Sequence, residues 1–138
     1  MKFVRIEAGN LHLIRRFLER LGRGEQTFRY FQKRPVETVL HHTYCAVLMD
    51  GAEPAAYGHL DPEADTLWLG LAVAEACQGR GLGRQMLAHL LQTAADRKEK
   101  QITLSVDKQN QPAIALYESA GFRPVRFNES TITYTLNL

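Results

Sequence analysis

The sequence has little of what marks several specialised protein classes. It has only two cysteines, Cys45 and Cys77, in 138 residues, which argues against the disulfide framework of a small secreted domain. No apolar run approaches the ~20 residues that cross a bilayer, and the opening MKFVRIEAGN lacks the apolar centre of a signal peptide. A net charge of +2 gives no strongly basic surface for nucleic acid or anionic lipid. We therefore expect a cytoplasmic protein with neither a nucleic-acid nor a membrane partner.

Length and composition predict one globular domain over residues 1–138. Apolar residues make up 45% of the chain and charged residues 23%, which are ordinary values for a globular protein. A chain of this length can bury a core of useful size. No internal repeat, low-complexity tract or linker divides the sequence.

A glycine-rich turn joins a strand pattern to a helix pattern in the middle of the chain. Apolar side chains alternate along Thr66–Val73, as in a buried strand, and from Leu82 onward they recur at helical spacing. Between the two lies Gln78–Arg84, QGRGLGR, with three glycines. Glycine lets the backbone approach a ligand closely, and the unpaired N–H groups at a helix start attract anions. The turn is therefore predicted to bind phosphate.

The remaining segments carry further strand and helix signals. We predict strands at 3–7, 44–49, 55–60, 101–106, 123–128 and 131–136, helices at 11–21, 24–33 and 111–120, and a helical turn near 36–40. Helices and antiparallel strands are thus followed by strand–helix–strand–helix–strands. This order predicts an α/β (α+β) fold, a mixed sheet with helices on both faces.

Two motifs together resemble those of the GNAT superfamily of N-acetyltransferases. The turn matches Gln/Arg-x-x-Gly-x-Gly/Ala, and residues 110–122, NQPAIALYESAGF, match Asn-x-x-Ala-x-x-Leu-Tyr-x-x-x-Gly-Phe. One predicted helix and one predicted strand separate the two motifs. The resemblance implies a mostly antiparallel sheet of six to seven strands, in which a splayed parallel pair holds the coenzyme.

The same resemblance implies an activity and a set of coenzyme contacts. The expected activity is transfer of an acetyl group from acetyl-CoA to a primary amine, directly in a ternary complex and without a metal. A backbone N–H on the central strand would polarise the thioester carbonyl, and Gly70 is expected to mark a bulge there. By position, the residues expected to bind the coenzyme are Leu71, Ala72, Val73, Gln78, Gly79, Arg80, Gly81, Leu82, Gly83, Arg84, Asn110 and Tyr117.

Several of these residues have a plain structural alternative. Asn110 reads equally as a coenzyme contact or as a helix cap, and these roles are compatible. Arg80 and Arg84 either neutralise phosphate or are solvated charges.

His41 and His42 are adjacent but do not face one another on a helix, so they do not predict a metal site.

Tyr117 and His59 are the predicted catalytic residues. Tyr117 takes the position of the family's general acid. A phenol has an unperturbed pKa of ~10, so at neutral pH it keeps a proton that it can give to the departing thiolate. The structural alternative for Tyr117 is a core aromatic. Many relatives carry a glutamate base on the central strand, but Thr66–Val73 offers none. His59, on the preceding strand, is the first candidate base, with Asp61 on the same face to support or replace it. Water acting on a partly neutral amine is the rival.

The acceptor and the broader function have alternatives. We expect a small amine such as an amino sugar, because FRYFQKRP and YGHLD faintly resemble GNAT members of amino-sugar chemistry; a protein N-terminus or lysine is the alternative. Because the central strand has no carboxylate, a non-catalytic acyl-CoA sensor is an alternative function. A dinucleotide-binding module is disfavoured because Gly-x-Gly-x-x-Gly would need glycine at Arg84. The chain is expected to be a monomer or a homodimer.

Overall fold

A seven-stranded mixed sheet forms the centre of the molecule in a computed structural model that describes all residues, 1–138. The spatial order is β1-β2-β3-β4-β5-β7-β6, and only β4 and β5 run parallel. This arrangement confirms the predicted mixed, mostly antiparallel sheet. The strands are β1 (Lys2–Arg5), β2 (Tyr44–Asp50), β3 (Glu53–Glu63), β4 (Thr66–Val73), β5 (Gln101–Asp107), β6 (Arg123–Phe127) and β7 (Thr131–Asn137).

Three α-helices flank the sheet: α1 (His12–Glu19), α2 (Leu82–Asp96) and α3 (Gln111–Ser119). Phe17 of α1 packs on Tyr57, with ring centroids 5.9 Å apart, whereas Met86 of α2 lies against Gly58. Since consecutive strand residues face opposite sides, α1 and α2 cover opposite faces, as predicted. None of the helices combines the length and apolarity that a bilayer crossing requires. Short 3-10 helices fill the intervals at Ala8–Asn10, Gly22–Gln26, Tyr30–Gln32, Val36–His41 and Glu75–Cys77.

The segment between α1 and β2 differs from its prediction. The single helix predicted over 24–33 is wrong, because two separate 3-10 helices occupy this region. Gly22 enters it with φ of +60°, and the Phe28 and Phe31 rings pack on Tyr57 at 5.4 and 5.6 Å. Packing of these aromatic rings on the sheet thus overrides the local helical pattern.

β4 and β5 separate soon after they meet, which opens a slot in the sheet. Their pairing is confined to Trp68 opposite Thr103, while β4 stays paired with β3 in unbroken register. The bulge predicted at Gly70 is therefore wrong. A Cβ on Gly70 would lie 2.3 Å from His59 Nε2, so this strand position is glycine because the imidazole occupies the space of a side chain.

Candidate active site

A cavity of about 550 Å³ lies where β4 and β5 separate. Residues 69–73 of β4 and the glycine turn form one side of it, the ends of β5 and α3 form the other, and the segment after α1 closes one edge. Arg80 and Arg84 do not line it. Ten of the twelve predicted coenzyme residues do: Leu71, Ala72, Val73, Gln78, Gly79, Gly81, Leu82, Gly83, Asn110 and Tyr117.

The glycine turn presents its backbone to this cavity. Gly79 and Gly81 have φ of +80° and +77°, and a Cβ on either would meet no atom within 4 Å. Glycine is thus needed here for its left-handed backbone and not for space. Gly81 precedes α2 without any side-chain cap, and the first turn of α2 holds no acidic residue. The free N–H groups and the positive helix end therefore suit a diphosphate.

The two arginines of the turn have other partners. Arg80 forms an ion pair with Asp50 at 3.1 Å, and Arg84 Nη1 lies 3.5 Å from the Ser119 hydroxyl oxygen. Neither arginine side chain therefore contributes to the cavity wall at the turn.

The β4 edge that faces the slot carries unpaired backbone groups. The Ala74 N–H donates to the Ala55 carbonyl at 2.9 Å, toward β3. Because strand residues alternate in direction, Leu71 and Val73 direct their backbone groups toward the slot. An extended ligand arm can pair with them as a further strand does.

Tyr117 of α3 brings a phenol to the same cavity. Its side chain is buried, its ring packs on Phe122 at 5.7 Å, and it lines the cavity wall. Its hydroxyl forms no hydrogen bond with another residue and is not fully buried, so it is open to the cavity. Burial alone raises the pKa of Tyr117, so the hydroxyl keeps its proton at neutral pH. Tyr117 is thus a buried aromatic residue that also lines the cavity, and its role as the general acid stays a prediction.

Asn110 performs the capping role proposed for it. Its side-chain oxygen accepts the Ala113 N–H at 3.3 Å at the start of α3, and the residue also lines the cavity. One side chain thus both starts the helix that carries Tyr117 and contributes to the wall.

A family model of the acetyltransferase (GNAT) family matches residues 10–122. The chain belongs to the GNAT family. This match covers both motifs and reaches back to the start of α1. It confirms the family that the sequence resemblance indicated.

Curated relatives match this chain over the motif region. The [ribosomal protein bS18]-alanine N-acetyltransferase of Salmonella typhimurium is 45% identical over 62 residues, which cover 45% of this chain and 38% of that protein. The 5-NmdU N-acetyltransferase of Pseudomonas phage PaMx11 is 36% identical over 58 residues, which cover 42% and 39%. The matches span about two fifths of the length of these relatives.

Solved structures share the whole fold. The GNAT domain of S. lividans PAT superimposes with a TM-score of 0.85 at 21% identity, covering 99% of this chain and 89% of that one. The Bacillus subtilis acetyltransferase in complex with CoA gives 0.77 at 19% identity, with coverage of 99% and 98%. These likenesses establish a GNAT fold.

His59 lies behind the cavity wall of this GNAT fold. The residue is 2% exposed, its Nδ1 lies 2.7 Å from the Tyr57 hydroxyl, and it does not line the cavity. Its Nε2 edge faces Gly70, which does line the cavity. Burial, and then the neighbouring His42, hold the pKa of His59 well below its ordinary value, so the ring is neutral at pH 7.

His59 belongs to a buried polar cluster that the sequence pattern did not reveal. The Tyr30 hydroxyl donates to Asp61 Oδ2 at 2.7 Å and lies 2.7 Å from His42 Nε2. The Tyr30 and His42 rings lie 4.4 and 4.6 Å from the His59 ring, and His42 Nδ1 is buried without a partner. Burial, and then Asp61, raise the pKa of Tyr30. The cluster confirms the shared face of His59 and Asp61, but Tyr30 and His42 come from distant segments with no local signal.

The cavity also contains residues that the sequence analysis did not assign. Ser105 and Asp107 lie at the end of β5, and Thr27 lies in the segment after α1. The alternation of QITLSVD placed Ser105 and Asp107 opposite its apolar face, and that was the available signal for these two. Cys77 also lines the cavity, whereas Cys45 is buried and its burial raises its pKa to about 12. No group of three or more His, Cys, Asp or Glu residues is placed to hold a metal.

Proposed function

We propose that this GNAT protein is an N-acetyltransferase that moves an acetyl group from acetyl-CoA to a primary amine in a ternary complex. One observation carries the proposal: the glycine turn and the unpartnered Tyr117 hydroxyl open onto the same cavity. A donor gripped at the turn thus has a proton source within the same slot. We further propose that the protein acts in the cytoplasm, as a monomer or a homodimer.

The donor would lie along the slot with its diphosphate at the glycine turn. The N–H groups from Gly79 to Arg84 would hold the diphosphate, with Arg80 and Arg84 as secondary contacts. The pantetheine arm would pair with the free backbone groups of Leu71 and Val73, beside Ala72 and Asn110. The long, flexible donor would thus be held at two places, its diphosphate and its pantetheine arm.

The transfer step would proceed by direct attack. The neutral amine nitrogen bonds to the thioester carbonyl carbon, and a β4 backbone N–H stabilises the oxyanion that forms. The C–S bond then breaks as the carbonyl re-forms. The sulfur takes the proton of the Tyr117 hydroxyl, and the amine nitrogen loses one proton to a base.

We retain His59 as the candidate base, with Asp61 in support. Its neutral ring can accept a proton, yet Gly70 separates it from the cavity and the Tyr57 hydroxyl occupies Nδ1. Water taking the proton is the competing route. If His59 is the base, His59→Gln removes the acidic limb of the pH–rate profile; if water is, the limb persists.

The named relatives supply two acceptor candidates. A small amine remains our first expectation, and the 5-NmdU relative from phage PaMx11 offers one specific probe. The bS18-alanine relative favours instead the α-amine of a protein chain that begins with alanine. The two candidates are tested in the same assay.

Amine-dependent release of free CoA thiol tests the proposal. The purified protein is mixed with acetyl-CoA and either an alanine-initiated hexapeptide or 5-NmdU, and the thiol is followed colorimetrically. We expect release with a free amine and none with the N-acetylated form of the same peptide. Tight CoA binding by calorimetry without transfer to a broad amine panel would instead support the sensor alternative.

A further inference from the structure

The cavity wall carries a single charged side chain, Asp107. The other residues that line the cavity are apolar, glycine or neutral polar. Asp107 ends β5, and 20% of its side chain is exposed. A carboxylate in such a wall is partly desolvated and needs a cationic partner.

In the structure that partner is Arg29. Its two terminal nitrogens donate to the two Asp107 oxygens, each at 2.9 Å. Arg29 directly follows Thr27 and Phe28, which line the opposite edge of the cavity. The Arg29–Asp107 bridge therefore joins two segments that border the cavity, the one after α1 and the end of β5.

The two halves of the bridge differ in their surroundings. Arg29 has 48% of its side chain exposed, so its guanidinium can return to water at little cost. Asp107 is more buried and is fixed on a strand. A competing cation that enters the cavity can thus displace Arg29, while Asp107 stays in place.

We propose that Asp107 binds the ammonium group of the incoming acceptor, which displaces Arg29 from the bridge. This inference rests on the proposed function, because a primary amine is largely an ammonium ion at neutral pH. The acceptor class is then a cationic amine, held by Asp107 until it loses its proton. In the free protein Arg29 pairs with the Asp107 carboxylate, and it therefore competes with the acceptor ammonium for that carboxylate.

Steady-state kinetics at saturating acetyl-CoA test this assignment. The acceptor is the alanine-initiated hexapeptide or 5-NmdU, whichever turns over, and the variants are Asp107→Asn, Asp107→Glu and Arg29→Gln. Asp107→Asn is expected to raise the acceptor KM by about tenfold with little change in kcat, and Asp107→Glu to stay near wild type. Arg29→Gln is expected to lower the KM, because it removes the competitor.

The matched control is Arg15→Gln, which breaks the exposed Arg15–Glu37 pair of 2.7 Å away from the cavity. It should leave the acceptor KM and the CoA affinity unchanged. A purely structural bridge predicts that Asp107→Asn and Arg29→Gln shift the KM in the same direction, and that result would overturn the assignment. An unchanged KM in Asp107→Asn, with wild-type transfer intact, would overturn only this inference. A wild type that binds CoA but acetylates neither acceptor, nor any amine of the broad panel, would overturn the proposed function as well.

Discussion

At one end of the cavity the wall is formed by a single continuous turn, Gly79–Gly83; at the other it is formed by side chains from distant segments. The turn depends on the positive φ of Gly79 and Gly81. The opposite end depends on Arg29 meeting Asp107, 78 positions along the chain. A backbone site can therefore be recognised from a short motif, whereas a side-chain site exists only once the chain has folded.

This difference has a functional counterpart. A backbone site binds a chemical group common to all molecules of one class, which under the proposed function is a diphosphate. A side-chain site can change residue by residue without disturbing the helix start. We therefore expect substitutions at the two ends to separate donor binding from acceptor use.

The largest effect is expected at Tyr117, which lines the same cavity. Tyr117→Phe keeps the ring packed on Phe122 but removes the proton source, so kcat should fall by about 100-fold. The CoA dissociation constant, measured by calorimetry, should stay the same. Tyr134→Phe is the control, because it removes another phenol, one that donates to Glu118 at 2.8 Å. Turnover by Tyr117→Phe at the wild-type rate would show that the acid is another group.

The second-largest effect is expected at the glycine turn. Gly81→Ala forces a side chain into φ of +77°, which costs about 1–2 kcal/mol or moves the amides out of position. We expect CoA to bind about tenfold more weakly in calorimetry. Gly51→Ala is the matched control, because Gly51 has φ of +62° and equally open space in the β2–β3 turn. Gly51→Ala should lower stability to a similar extent and leave CoA binding alone; equal weakening in both variants would refute a specific role for the turn.

The smallest effect is a pH dependence of stability from the histidine cluster behind the cavity wall. The pKa values of His59 and His42 are lowered in the folded protein, chiefly by burial. The unfolded chain therefore binds more protons below pH ~6.5, and the free energy of unfolding should fall there by about 1 kcal/mol per pH unit for one such histidine. Urea titrations at pH 7.5 and 5.5 measure this, and His59→Gln should flatten the dependence. A wild-type stability that does not change over this range would contradict the buried, neutral cluster.

Sequence reasoning succeeded where a local pattern fixes the structure. The strand–turn–helix from Thr66 to Asp96 and the helix that carries Tyr117 both followed from periodicity and glycine placement. Gly70 shows the limit. A glycine inside a strand marks either a bulge or a close neighbour, and only the register with β3 reveals that the neighbour is the His59 ring. The 24–33 segment failed for a similar reason, because its aromatic rings pack on a strand that lies later in the chain.

The chain's single tryptophan stands where the sheet divides. Trp68 forms the last rung that β4 shares with β5, and its side chain is partly exposed. Its indole thus lies at the fork from which the two strands diverge. Any change in the separation of β4 and β5 alters the surroundings of the indole. The intrinsic tryptophan fluorescence of the unlabelled protein therefore reports on the width of the slot between these strands.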